Sequence, residues 1–310
     1  MRFIFALLVL GTLAAQELPP LSIKVDVNLV NVAFIARESS GLLTRKLTKD
    51  DIEVFEDGVK QEVQFFSRSE DVALRLGLVV DASDSQDKFI KQHRRDLEAF
   101  VAGSITPRDG ALLVCFGNKV RVVSGFTSSS AELMSRLDEY QKGGRKFPEM
   151  DPDDTRVDGT ALFDALYLTA MRKLRPIPGE RKAVILFSDG EDNSSAHDLM
   201  DAIEAAQTAD ALIYTVRYTA PAKHGRLTAR NRYGMREMDR LAAETGAASF
   251  DASKQDVGAC LRQVGEELRA MYEVGYASRN PVRDGMFRKV VIRAKEEGVV
   301  IRAKPGYYAR

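Results

Sequence analysis

The sequence predicts an α/β fold: a doubly wound, mostly parallel sheet, Rossmann-like, flanked by N- and C-terminal β segments that form a small β-sandwich. Two observations predict it. From Leu74 to Met271 short apolar runs alternate with stretches of helical spacing, the pattern of a parallel sheet covered on both faces. On either side of that region the apolar residues alternate with period two instead. A third observation says where the function lies. The apolar run Leu74–Val80 stops at Asp81, and Asp81, Ser83 and Ser85 follow at alternate positions just before a helical pattern. A loop at the carboxyl end of a buried strand is where open α/β sheets place their ligands.

Met1-Arg2, an apolar run from Phe3 to Leu10 and small residues to Ala15 match a secretory signal peptide over residues 1–15. The run is too short for a mature transmembrane helix, and no Cys follows it to carry a lipid. The expectation is an exported protein, periplasmic or secreted, whose mature chain does not insert in a membrane. Outside the cytoplasm ATP is scarce, which disfavours nucleotide-driven chemistry. Lys+Arg and Asp+Glu balance at 45 each in 310 residues, so no net charge points to nucleic acid. Cys115 and Cys260 are too few and too isolated for a disulfide framework or a zinc site.

Residues 20–70 read as β throughout: a strand over Ile23–Ala36, a turn at Ser39-Ser40-Gly41, a strand ending at Glu56, the hairpin turn Asp57-Gly58 and an alternating run Val59–Phe66. Residues 72–270 carry the α/β pattern. Strands are expected at Leu74–Val80, Ala111–Phe116, Lys119–Ser124, Lys182–Ser188, Ala211–Tyr218 and Ala248–Phe250. Helices are expected from Phe89 to Phe100, then at Ala131–Tyr140, Ala161–Leu174, Ala196–Ala209, Met235–Thr245 and from Val257 to Met271. Residues 272–310 return to β, with runs Tyr272–Ala277, Arg288–Ala294 and Val299–Ala303 between turn residues. Neither flank can bury a core alone. The expectation is that 272–310 pairs with 20–70, with the α/β domain inserted between them; two separate appendages are the alternative.

Two more loops belong to the same end of the sheet. Asp158-Gly159-Thr160 precedes one helix, and Ser188-Asp189-Gly190-Glu191-Asp192 follows the strand at Lys182–Phe187. If both strands are central and parallel, Thr160 and Asp189 converge on Asp81, Ser83 and Ser85. Five oxygen-bearing side chains, with no His or Cys, suit a hard divalent cation: magnesium first, with manganese or calcium possible.

Asp81-x-Ser83-x-Ser85, then Thr160, then Asp189 in Phe-Ser-Asp-Gly resembles, in order and context, the metal-ion-dependent adhesion site of von Willebrand factor type A domains. The flanks are similar to those of exported von Willebrand A-related proteins of Acidobacteria, through Leu47-Thr48-Lys49-Asp50-Asp51-Ile52-Glu53-Val54-Phe55-Glu56-Asp57-Gly58 and the ending Pro305-Gly306-Tyr307-Tyr308. The resemblance implies that Ser83 and Ser85 coordinate the metal directly, Thr160 directly or through water, and Asp81 and Asp189 largely through water. It implies a protein partner that offers an Asp or Glu to the metal. It also implies that the helix from Val257 can slide when the site is filled.

Asp84 departs from the family's usual Gly; it either points to solvent or caps the following helix, or it tunes the metal. Loops 140–158 and 219–233, with Lys142, Arg145, Lys146, Lys223, His224, Arg226, Arg230 and Arg232, lie on the same expected face and either shape partner choice or are plain solvated loops. No nucleophile elbow or phosphate-binding loop occurs, and His93, His197 and His224 read as surface or packing residues, so no enzyme is expected. The competing readings are a scaffold with a vestigial metal site and a metal-dependent hydrolase.

Overall fold

Two strands form the axis of the molecule. β8 (Arg181–Ser188) is buried along its whole length, and β5 (Leu74–Asp81) at every position but Arg75. They pair in parallel, Val80 opposite Phe187. The computed structural model describes residues 29–68, 70–143, 146–151, 155–219 and 226–309. The predicted signal peptide, residues 23–28 of the first predicted strand, Arg145, Lys223 and His224 lie outside the described residues.

In chain order the strands before β5 are β1 (Leu29–Glu38), β2 (Ile52–Glu56), β3 (Val59–Gln61) and β4 (Val63–Arg68). After β5 come α1 (Ile90–Ser104), β6 (Gly110–Phe116), β7 (Val120–Thr127), α2 (Ser130–Lys142) and α3 (Leu162–Leu168). β8 leads to α4 (Leu199–Thr208), β9 (Ala211–Arg217), α5 (Ala229–Thr245), β10 (Ser249–Asp251) and α6 (Val257–Ala270). β11 (Tyr272–Ala277), β12 (Phe287–Ala294), β13 (Val299–Ala303) and β14 (Gly306–Tyr308) complete the chain.

The central sheet has the order β10-β9-β8-β5-β6-β7, parallel except for the edge strand β7. Period-two alternation along β5 sends Leu74, Leu76, Leu78 and Val80 to one face, where Leu97 and Phe100 of α1 and Leu261, Val264 and Leu268 of α6 pack. Val79 faces the other way, with Val184 and Leu186 of β8, against Leu162 and Leu166 of α3 and Ile203 of α4. This is the doubly wound sheet expected. The chain leaves β5 toward β6 and returns to β8 on the opposite side, so the carboxyl ends of β5 and β8 meet where the winding reverses.

Three helices differ from the expected ones. The run at Ala161–Leu174 is α3 followed by a π-helical turn over Thr169–Leu174. Thr169 is fully buried there, and its methyl lies 2.7 Å from where a Cβ on Gly77 of β5 would stand, so the seat requires the glycine. α4 starts at Leu199 rather than Ala196, because the Asp164 carboxylate takes the backbone N–H groups of Ala196 and His197 and Asp198 caps the helix. α5 starts six residues before Met235. Thr228 and Asn231 form a capping box there, so Arg230 and Arg232 sit on a helix and not in a loop. The polar run Ala229–Gly234 carries no apolar periodicity to announce it.

Strands from the two chain ends share two further sheets, β13-β1-β11-β4 and β14-β12-β2-β3. β1 lies between β11 and β13, and β2 pairs β12. Val32, Phe34, Val54 and Val63 from one end and Tyr272, Val274, Tyr276, Val290 and Ile292 from the other form one apolar cluster. The run expected as one strand at Val59–Phe66 divides at Glu62: β3 stays with β2, and β4 pairs β11 in the other sheet.

One buried carboxylate ties the two halves together. Glu267 of α6 is fully buried and accepts hydrogen bonds from Arg37 of β1 (2.7 Å), Tyr214 of β9 (2.9 Å), Gln263 (3.0 Å) and Arg302 of β13. Burial alone would raise its pKa, but the Arg302 and Arg37 guanidiniums hold it below the usual value. Glu267→Ala leaves two guanidiniums and a buried phenol facing each other. It is expected to lower stability by about 3–5 kcal/mol, measured by urea denaturation. An unchanged midpoint would remove Glu267 from the tie between the sheets.

Candidate metal centre

Asp81 is the last residue of β5 and Ser188 the last of β8. The Ser188 hydroxyl donates to Asp81 Oδ2 at 2.6 Å, and the Ser83 backbone N–H donates to Asp81 Oδ1 at 3.0 Å. Both carboxylate oxygens are therefore occupied by groups that fix the loop. Burial pushes the Asp81 carboxyl up to about 7; bonds from Ser188 and Ser83 oppose this, and neighbouring Asp189 adds to it.

The loop then climbs toward solvent: Asp81 is buried, Ser83 half-buried and Ser85 exposed. The Ser83 and Ser85 hydroxyls lie 3.2 Å apart, and Ser85 donates to Asp189 Oδ2 at 2.7 Å. Asp189 Oδ1 accepts the Glu191 backbone N–H at 3.1 Å. Asp84 faces solvent, one of the two readings that leave the metal alone, and opens a 3-10 turn over Asp84–Phe89 that no side chain caps.

Thr160 is held between the two other loops. Its N–H donates to Asn193 Oδ1 at 2.7 Å, and its carbonyl accepts from Asn193 and Ser194. The next residue, Ala161, donates to the Gly117 carbonyl at 2.8 Å, and the β6 end beside Gly117 binds back to Ala82 through Phe116. Gly159 needs its positive φ of 105°, and a Cβ there would stand 2.5 Å from Ser194 Cβ. Gly190 has φ 82°, and a Cβ there would enter the Gly234 carbonyl, so α5 packs directly on the Asp189 loop. That contact brings exposed Arg230 to Glu191, 3.1 Å between Nε and Oε2. Burial raises the Glu191 pKa, Asp189 raises it further and Arg230 opposes the shift.

Four of the five residues singled out in the sequence, Asp81, Ser83, Ser85 and Asp189, are linked by hydrogen bonds, directly or through Ser188 and the loop backbone. Thr160 is tied by its backbone to Asn193 and Ser194 and, through Ala161, to Gly117 after β6. Ser188, Gln86 and Asn193 join them and were not singled out; Ser188 stood in the quoted Phe-Ser-Asp-Gly, two residues before a glycine that its hydroxyl also binds. The donor set is hydroxyls and carboxylates without nitrogen or sulfur. It fits a hard divalent cation. Among the described residues no group of three or more His, Cys, Asp or Glu is placed to hold a metal, so a cation here would rest on hydroxyls as well as on the two carboxylates.

The histidines stand apart from this chemistry. His93 is buried against Phe89, Phe187 and Tyr218, and burial lowers its pKa to about 4. His197 binds Asp164 through Nδ1 at 2.6 Å and stacks on Tyr167.

The von Willebrand factor type A domain family model matches residues 76–263. A search of curated proteins finds no match. Similar solved structures include an aerotolerance-related membrane protein from Bacteroides fragilis, 16% identical, covering 63% of this chain and 98% of that one with a TM-score of 0.47. Another is proximal thread matrix protein 1 of the mussel byssus, described with zinc in its MIDAS motif. It is 16% identical and covers 70% of this chain and 50% of that one, with a TM-score of 0.49.

The raised Asp81 pKa has a definite sign. The folded chain holds a proton that the unfolded chain has lost between about pH 4 and 7, so in chelator this group makes stability fall as pH rises through that window, by on the order of 1 kcal/mol per pH unit. Asp81→Asn keeps an acceptor but removes the titration. Its denaturation midpoint is expected to fall less steeply over pH 5–7 than that of the unsubstituted chain. Parallel profiles would assign the titration to another group.

Proposed function

The chain belongs to the von Willebrand factor type A domain family, and from that premise we propose that it is an exported protein that binds a divalent cation and uses it to hold an acidic side chain of a protein partner. Domains of this family mediate protein–protein interactions and commonly bind a divalent cation. The observation that carries the reading is the joining of Asp81, Ser83, Ser85 and Asp189 at the ends of two adjacent parallel strands. Ser83, Ser85 and Thr160 would hold the cation through neutral oxygens, with Asp81 and Asp189 supplying charge. Bound there, it supplies a Lewis-acidic centre, magnesium being favoured and manganese or calcium also suited.

Exposed Ser85 leaves the site open to a partner, and exposed Arg230, paired with Glu191 of the Asp189 loop, borders it on the α5 side. A cationic border favours an acidic partner and speeds its approach. Binding rather than catalysis is the reading for the histidines too: His93 is walled in by aromatic rings, and His197 is committed to Asp164. Export rests on the predicted signal peptide. Among the described residues no helix is long and apolar enough to cross a membrane.

Ser83→Ala/Ser85→Ala removes two oxygens from half-exposed and exposed positions, so the fold should persist. Magnesium affinity is expected to drop by at least about ten-fold in calorimetric titration, and magnesium-dependent capture of proteins from the exported fraction should disappear. Capture that persists in the variant and in chelator would favour a scaffold with a vestigial site.

A second expectation concerns the border. Arg230→Glu places a carboxylate beside Glu191 and is expected to weaken magnesium-dependent capture while leaving the magnesium affinity within about two-fold, since a solvent-exposed charge acts mainly on encounter. Capture at wild-type strength would take Arg230 out of the recognition surface.

A further inference from the structure

Gln86 follows Ser85 in the 3-10 turn and is completely buried. Its backbone N–H donates to the Ser83 carbonyl at 2.8 Å. Its side-chain nitrogen donates to Asp189 Oδ2 at 2.9 Å and to the Tyr218 carbonyl at 3.3 Å. Its side-chain oxygen is buried with no hydrogen-bond partner among the described residues. An amide whose carbonyl is buried without a partner is a costly way to fill space. A leucine or methionine of similar volume would fill it without that cost. The amide is therefore placed here for its donors.

Those donors act on Asp189. Oδ2 accepts both Ser85 Oγ and Gln86 Nε2, and Oδ1 accepts the Glu191 N–H. The Ser85 hydroxyl can turn its oxygen toward a cation. The lone pair of the Gln86 amide nitrogen is delocalised into its carbonyl, so this nitrogen does not compete for the metal and is free to keep its bond to Asp189. The anchor behind it is firm: the Tyr218 N–H donates to the Ser188 carbonyl at 2.9 Å, and the Tyr218 hydroxyl donates to Asp96 of α1 at 2.6 Å. The Asp189 carboxylate is thus held in one rotation, with one oxygen engaged from behind the site.

Magnesium demands six near-ideal oxygen positions, whereas calcium takes six to eight, often with both oxygens of one carboxylate. We propose that Gln86 is a positioning residue that sets the cation preference of the site: it locks the Asp189 carboxylate, keeps it from turning both oxygens onto the cation and so disfavours calcium relative to magnesium. This inference rests on the metal-site reading above. It concerns which cation the site takes, a property that mere space-filling by Gln86 would leave unchanged.

The test is calorimetric titration of the full metal-stripped chain with magnesium chloride and, separately, calcium chloride, in the unsubstituted protein, Gln86→Leu and Gln86→Met. The expected result is a calcium-to-magnesium ratio of dissociation constants that falls by about five-fold or more in both variants. A ratio that stays constant, whether or not both affinities drop together, overturns the proposal and leaves the metal-site reading standing. An unsubstituted chain that binds neither cation overturns the metal-site reading itself. If the variants do not fold, the side-chain amide exchange of Gln86 in the unsubstituted chain decides. The Gln86 side-chain amide protons should resist solvent exchange in both the metal-stripped and magnesium-loaded states, and rapid exchange in the magnesium-loaded state overturns the proposal.

Discussion

A carboxylate buried at the end of the central strand is the constraint on which the rest of the site depends. Asp81 sits where β5 stops, away from water, and such a group must be met by donors or by a cation. Ser188 at the end of β8 and the Ser83 N–H meet it. Those two bonds set the spacing of the neighbouring strand ends and the turn of the loop, and from that turn follows the approach of Ser85 to Asp189. Every other polar residue of the site is placed by a strand end or by a loop bound to one.

Close backbone packing carries the third loop and α5 into the same place. Gly159 and Gly190 hold positive φ values and have no room for a Cβ, so the Thr160 loop closes on Ser194, and α5 lies on the Asp189 loop through Gly234. The basic start of α5 thereby borders the site by backbone contact and not by charge alone.

On the far side of the sheet, α6 passes into β11 through Met271 alone, and its C-terminal turn is held by Glu267 with Arg37 and Arg302 and by Arg269 with Asp109. The Arg181 side chain also donates to the Leu268 and Met271 carbonyls. A sliding motion of this helix, as the family resemblance implies, would have to break the bonds of the buried Glu267 carboxylate to the partly exposed Arg37 and Arg302. Removing a partner from a buried carboxylate is costly, so these bonds resist a displacement of the C-terminal turn of α6.

Much of this was legible in the sequence because it depends on local pattern. Buried parallel strands read as apolar runs, the flanking sheets as alternation, and Asp81, Ser83, Ser85, Thr160 and Asp189 as small oxygen-bearing residues at strand ends and a helix start. What was not legible depends on partners distant in sequence. Gln86 is an ordinary polar residue until Asp189, 103 positions away, is beside it. Glu267 reads as one more charge on an amphipathic helix until Arg37, 230 positions away, closes on it. The split of the Val59–Phe66 run between two sheets has the same cause, whereas the early start of α5 is set by a local capping box, Thr228 with Asn231, on a stretch without apolar periodicity. The sequence by itself determined the fold class and the chemical kind of the site, since both follow from residue type and short-range spacing. Only the tertiary structure decided which carboxylates are held, from which side and by what, since burial and long-range hydrogen bonding exist only once the chain has folded.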